Sequence, residues 1–281
     1  MPELPEVETV VRGLRGPLTG RTVTAAAVYT LKIRTVVPIG LTAALKGAKI
    51  VAVDRRAKYI LIHLDTGLSL IIHLGMTGNM RLIREVKKHM PQKHDHLWFL
   101  LDDATGVVFS DPRRFGVIDL LPTAELAAAK AFRHLGPEPL ERAFTGEALS
   151  GILRGRKTAV KIALMNQENV VGVGNIYASE ALFHAGISPL KEARLVRGRR
   201  ADLLCAMIKK VLKASIRAGG SSLKDYRQAS GEIGFFQNRF AVYDRAGEKC
   251  PGCTCDITKT GGIKKIVQGG RSTFYCPRKQ S

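Results

Sequence analysis

The sequence predicts an α+β fold in three parts: an N-terminal β-sandwich with an opening helix, a helical domain, and a C-terminal cysteine-bearing β-hairpin. Three observations predict it. Residues 20–121 are mostly short β-branched and aliphatic runs separated by tight turns. Residues 141–230 carry apolar side chains at helical spacing. Four of the five cysteines fall between positions 250 and 276. Boundaries are expected at 1–135, 136–230 and 231–281, the first at the Pro/Gly punctuation of HLGPEPL.

The elements follow in order. PEVETVVRGLRG reads as a helix that Pro5 and Glu6 start, with Glu3 and Glu8 near its positive end. RTVTAAAVYT, KIVAVDRRAKYILIHL, LSLIIHLG, HLWFLL and GVVFSD read as strands, and the DTG, MTG and DDATG turns between them imply antiparallel pairing. GEALSGILRGR, AVKIALMNQ, NIYASEALFHAG and RRADLLCAMIKKVLKASIRAGG read as helices, the last closed by glycines. From Gly231 onward short strands are expected around the cysteines.

Bulk charge narrows the partners. Lys+Arg 44 against Asp+Glu 24 gives +20 over 281 residues, and the pI is near 10.1. Such a balance implies a polyanionic partner and does not name it. No apolar run approaches the roughly 20 residues of a membrane span, and acids stand where a secretory signal would be basic. A cytoplasmic chain with no membrane partner is expected.

The cysteines read as a metal site rather than a disulfide framework. Cys250 and Cys253 form one C-x-x-C pair, and Cys276 begins a second that ends on Lys279. An ammonium has no lone pair for a metal. Either Cys255 completes the tetrahedral set of a zinc-ribbon-like hairpin, or the hairpin holds together without metal. Cys205 belongs to a helix core. At the hairpin tip, QGGRSTFYC puts Arg271 beside a glycine turn, where a phosphate or plain solvent would suit it.

Other stretches present chemistry on turns. In DRRAKYILIHL, alternation would turn Arg56 and Lys58 to one face, as in any solvated strand. HLGMTG and SDPRRFG place Met76 and Phe115 in turns, with Arg113 two residues before Phe115. Apolar wedges beside arginines can hold open a base stack, or they can tuck back into the sandwich. In NVVGVGNIYASE, Gly172 and Gly174 allow close backbone approach and Asn175 can cap the next helix, which makes a phosphate seat. The preceding AVKIALMNQ reads as helix, so this is a helix–two-turn–helix and dinucleotide binding is disfavoured.

Taken together, PELPEVET, RRAKY, HLGMTG, KHDHL, DPRRFG, LGPEPL, VVGVGNIYASE and RSTFYC resemble, in order and over the whole chain, the formamidopyrimidine-DNA glycosylase family of bacterial base-excision repair enzymes. The resemblance implies that Met1 is removed, that the Pro2 nitrogen is the nucleophile, and that Glu3 is its acid/base partner, with Glu6 in support. It implies Lys58 as the proton donor of β-elimination and Arg271 as the residue of δ-elimination. Met76, Arg113 and Phe115 would fill the gap left by an extruded nucleotide. His94, Lys157, Asn175 and Arg271 would grip the backbone of double-stranded damaged DNA. Residues 221–236 resemble the loop that closes over the flipped base. Leu4, Met76, Arg113 and Phe115 point to the branch that excises oxidised purines. The alternatives are an endonuclease VIII-like enzyme for oxidised pyrimidines and a silent lesion-binding protein. One structural zinc per chain, held by Cys250, Cys253, Cys276 and a fourth ligand such as Cys255, and a monomer without an obligate protein partner are expected.

Overall fold

The structure, a computed structural model, describes residues 2–84, 91–222, 226–252, 254 and 256–281. Met1, Cys253 and Cys255, and residues 223–225 near the start of the expected base-covering loop, therefore lie outside the described residues. The chain divides into two compact units. One is Met1–Arg133 with Ala218–Phe235, the other His134–Arg217 with Phe236–Ser281. This departs from the sequence boundaries, which cut the chain at 135/136 and 230/231. The reason is packing: Tyr226 and Ala229 belong to the sandwich core, whereas Cys250, Phe274 and Cys276 share a core with Phe183.

The first unit opens with α1 (Leu4–Leu18), whose Val7, Val10, Val11, Leu14 and Leu18 form one buried stripe. Two antiparallel four-stranded sheets follow. One has the order β1 (Val23–Val28), β6 (Asp95–Leu101), β7 (Gly106–Ser110), β5 (Asn79–Ile83), and the other β2 (Ile50–Arg56), β3 (Tyr59–Leu64), β4 (Leu68–His73), β8 (Val117–Pro122). Alternate residues such as Ile60, Ile62 and Leu64 of β3 meet Leu97, Phe99 and Phe109 in a single core. A short helix, α2 (Leu41–Leu45), follows β1 in the chain and packs against it.

Three details differ from the sequence reading. KIVAVDRRAKYILIHL is a hairpin of β2 and β3 rather than one strand, because Ala57 adopts φ 53 and the chain reverses there. Arg56 pairs with Tyr59 and Lys58 lies in the turn, so the two do not share a strand face. β5 and β8 are strands that apolar density did not mark, since Asn79, Arg81 and Asp119 interrupt their runs.

The second unit holds α3 (Gly146–Leu153), α4 (Val160–Met165), α5 (Asn175–His184) and α6 (Arg199–Arg217). Thr145 caps α3 by accepting the Ala148 amide at 3.1 Å. After a one-turn helix, α7 (Ile257–Thr260), the described residues of the tail form the strands β9 (Lys264–Gln268) and β10 (Arg271–Tyr275). Gly269 and Gly270 have φ 54 and 70, the tight two-residue hairpin turn that L-residues resist. Among the described residues no helix is long and apolar enough to cross a membrane.

Candidate active site

The register of the second sheet gathers the candidate residues of the first unit at one end. Tyr59 pairs with His73, and His73 with Val117. Lys58 precedes Tyr59, Leu74 follows His73 and Gly116 precedes Val117, so the Lys58 turn, the HLGMTG tip and the DPRRFG tip all leave the sheet on the same side. α1 runs along this sheet toward the same end. Arg15 donates to the Val53 carbonyl at 3.0 Å, and about two turns toward the N-terminus Glu8 meets Arg55 at 3.0 Å. Arg55 also donates to the Ala57 carbonyl at 3.0 Å, which ties the helix start to the Lys58 turn. Burial raises the Glu8 carboxyl, but bonds from Arg12 and Arg55 outweigh it and hold the group below its ordinary value.

Pro2 and Glu3 are buried just before this helix, and Lys58 is buried in its turn. Glu3 is the N-cap of α1, and its amide N–H donates to Glu6 Oε2 at 2.9 Å. That amide belongs to the Pro2–Glu3 peptide, so Glu6 fixes the peptide plane on which the Pro2 ring hangs.

The two tips are joined by Asp111, which sequence reasoning missed. Its buried carboxylate accepts the Thr77 hydroxyl at 2.5 Å and the Gly116 amide at 2.7 Å. Thr77 Oγ1 in turn accepts the Arg113 amide at 3.2 Å. Arg114 takes φ 56 between Arg113 and Phe115. Gly75 is required: a Cβ there would stand 2.5 Å from the Phe115 carbonyl carbon. Met76 and Phe115 are 40% and 43% exposed, so neither tucks into the sandwich, and the Arg113 guanidinium lies 4.7 Å over the Phe115 ring. His94 is half-buried next door, its carbonyl accepting the Asp111 amide at 2.9 Å.

His73 braces the first tip. Its Nδ1 accepts the Gly75 amide at 3.0 Å, which leaves the proton on Nε2. Burial first, then the Lys58 and Arg34 cations, push its pKa down to about 4. Below the unfolded value near 6.5 the unfolded chain takes a proton that the folded chain refuses. The stability that His73 contributes is thus full above 6.5 and is lost as pH falls toward 4. Between pH 7.5 and 4.5, urea unfolding should show wild type losing on the order of 2–3 kcal/mol more than a His73→Asn variant. Equal losses would contradict the assignment.

In the second unit the glycine-rich turn is tied internally by a glutamine. Gln167 donates to the Met165 and Val173 carbonyls at 2.9 and 3.0 Å and accepts the Gly172 amide at 2.8 Å. Gly172 has φ 77. Gly174, not Asn175, is the N-cap of α5. The Asn175 side chain is engaged elsewhere: its Oδ1 accepts from Lys161 Nζ at 2.5 Å, and its Nδ2 donates to the Ser272 carbonyl at 2.9 Å. Lys161 is 0% exposed and also donates to Thr273 Oγ1 at 2.6 Å, so it braces β10 two residues beyond Arg271. A lysine in the apolar phase of AVKIALM is the signal that could have found it. Lys157 and Arg271 are exposed.

Cys250 and Cys276 lie buried in one apolar cluster, and among the described residues no group of three His, Cys, Asp or Glu side chains is placed to hold a metal ion. Lys279 does not suit a metal. Its ammonium donates to the Pro251 carbonyl at 2.6 Å and lies 5.5 Å over the Phe183 ring. The second pair therefore supplies one donor only, and Cys253 and Cys255 lie outside the described residues.

Two family models match the chain: the formamidopyrimidine-DNA glycosylase N-terminal domain over residues 1–118, and the H2TH domain of the same proteins over residues 135–227. The chain belongs to the formamidopyrimidine-DNA glycosylase family. A formamidopyrimidine-DNA glycosylase of Rhodospirillum rubrum is 49% identical over 280 residues, covering 100% of both chains. The wild-type Lactococcus lactis family member in complex with DNA containing N7-benzyl-Fapy-dG superposes with a TM-score of 0.88 at 34% identity, over 99% of each chain. A MutM in complex with DNA containing carbocyclic 8-oxo-G gives 0.87 at 33%, again over 99% of each. The α+β fold expected from sequence is the fold of these family members.

Proposed function

We infer that this chain is a base-excision DNA glycosylase that removes oxidised purines, 8-oxoguanine and formamidopyrimidines, and then acts as an AP lyase on damaged double-stranded DNA. One observation carries the site assignment: Pro2 and Glu3 are buried at the sheet end that also bears Lys58 and the exposed Met76–Arg113–Phe115 group.

With Met1 removed, the Pro2 secondary amine attacks C1′. The C1′–N bond to the base breaks, the base departs with a proton, and the sugar ring opens as Glu3 transfers a proton to its oxygen. An α-amine has a reference pKa near 8, against about 10.4 for lysine, so more of it is unprotonated at neutral pH. The resulting iminium is permanently cationic. It draws electrons from C2′ as its proton leaves and the 3′ C–O bond breaks; Lys58 serves this β-elimination. The 5′ C–O bond then breaks in δ-elimination. Arg271 clamps the departing phosphate, because a guanidinium does not give up a proton. Met76, Arg113 and Phe115 fill the vacated stack and offset part of the few kcal/mol that extrusion costs. His94 and Lys157 hold the backbone, joined by Asn175 from the first position of α5. The chain acts as a cytoplasmic monomer, without an obligate protein partner.

Excision from an 8-oxoguanine duplex should exceed excision from an oxidised-pyrimidine duplex, with borohydride trapping the enzyme covalently on the former. The reverse ranking would mark an endonuclease VIII-like enzyme, and binding without trapping a silent lesion binder. For the tail we assign one structural zinc to Cys250, Cys253, Cys276 and a fourth ligand such as Cys255, with Lys279 excluded. Metal analysis of the purified protein should give about one zinc per chain; full folding and activity at zero zinc would reject the assignment.

A further inference from the structure

Glu6 divides its carboxylate between two segments of the first unit. Oε2 accepts the Glu3 amide at 2.9 Å, while Oε1 accepts the Ser221 amide at 2.8 Å and the Ser221 hydroxyl at 3.1 Å. The Glu6 carbonyl accepts the Tyr226 phenol at 3.2 Å. Gly220 presses on the same spot, at φ +82, where an added Cβ would stand 3.0 Å from Tyr226 Cε1 and 3.2 Å from Glu6 Cγ. The Ser221 end is itself held in place. Ser221 bridges Phe235, and Ser222 Oγ donates to the Tyr226 carbonyl at 2.9 Å and lies 2.8 Å from the Gly234 amide that donates to it. Burial first, then the Glu6 carboxylate, hold the Tyr226 phenol far above its ordinary value, so it stays a neutral donor.

We propose that Ser221 and Tyr226 are positioning residues for the nucleophile: through Glu6, the segment resembling the base-covering loop sets the orientation of the Pro2–Glu3 peptide. This rests on the reading of Pro2 as nucleophile. The physical ground is the double acceptance. A carboxylate can accept an N–H on each oxygen, whereas a carboxamide offers one acceptor and turns an N–H₂ against the other donor. Displacing Ser221 therefore rotates Glu6 and frees the peptide that carries Pro2.

The test uses a duplex with a preformed abasic site, where there is no base to read, and measures single-turnover borohydride trapping beside the Kd for the same duplex. Ser221→Ala and Tyr226→Phe should slow trapping by about tenfold, and Glu6→Gln by up to about a hundredfold, as for a misplaced reacting group. Kd should stay within about twofold of wild type. Ser221→Thr, which keeps the hydroxyl, should restore the rate. The Glu6→Gln/Ser221→Ala pair should be no slower than Glu6→Gln alone. Wild-type trapping of the abasic duplex by Ser221→Ala and Tyr226→Phe, with only intact lesions affected, would make these residues base readers and overturn the proposal. Failure of the wild-type enzyme to trap would instead overturn the Pro2 reading, and this proposal with it.

Discussion

Acetylation of the Pro2 nitrogen should abolish covalent trapping on lesion and abasic duplexes alike. The expected loss is at least about a thousandfold, equivalent to about 4 kcal/mol of barrier. The argument is electronic: an acylated nitrogen delocalises its lone pair into the carbonyl and cannot attack C1′. Pro2→Gly should act less severely, by about a hundredfold. Glycine keeps an α-amine, but it is primary, so its imine must be protonated before it becomes an electron sink, and its backbone is not preset by a ring. Both forms should retain their affinity for undamaged duplex. Acetylated protein that still traps would move the nucleophile to another amine. Lys58 would be the first to examine, since it is buried at the same sheet end.

The second large effect is expected at Asp111. Its carboxylate accepts the Thr77 hydroxyl and the Gly116 amide and is fully buried. Asp111→Ala leaves both donors without their acceptor, and each bond to a charged group contributes about 1.5–3 kcal/mol. Denaturant unfolding should show a loss of about 3 kcal/mol or more. Excision from duplex DNA should fall by about a hundredfold, because the Met76 tip and the Arg113–Phe115 tip lose their common anchor. Asp111→Asn is the control. Its oxygen can keep the Gly116 amide while its N–H₂ turns to Thr77, whose hydroxyl can rotate to accept. The loss there should be about 1 kcal/mol. An Ala variant as stable and active as the Asn variant would show that the tips are held by packing alone.

Much of the fold was legible because it follows from local rules. The α1 start needed only Pro5 and acidic neighbours, and the β9–β10 hairpin needed only two consecutive glycines that tolerate positive φ. The apolar runs of β3, β4, β6 and β7 announced themselves by density, while β5 and β8 did not, because Arg81 and Asp119 sit among their apolar residues. The KIVAVDRRAKYILIHL stretch misled for the opposite reason. Its apolar pattern is continuous across a reversal, and the positive φ at Ala57 has no sequence signature, since alanine gives no hint of a left-handed turn.

The candidate site divides in the same way. Residues proposed to face DNA carry a local mark, an exposed arginine, a glycine turn or an apolar residue at a tip. The residues that brace them carry none, apart from Lys161, which stands in the apolar phase of its helix. Asp111, His73, Lys161, Gln167, Ser221 and Tyr226 act through partners up to 220 positions away in the chain, and nothing in a short window distinguishes a bracing aspartate from a turn aspartate. Asn175 shows the limit. Its place after two glycines suggested a helix cap, yet Gly174 caps α5 while Lys161 and Ser272 engage the asparagine side chain.

By itself the sequence determined the α+β class, the basic character that demands a polyanion, the Pro/Glu helix start at the beginning of the chain and the incomplete cysteine pair at its end. Only the tertiary structure decided that Lys58 lies in a turn, that residues 218–235 return to the sandwich unit, and that Asp111 and Glu6 each bind two segments together. The physical reason is range. Periodicity, turn chemistry and net charge are sums over neighbours in sequence, whereas a buried carboxylate takes its meaning from donors that the fold alone brings within hydrogen-bonding distance.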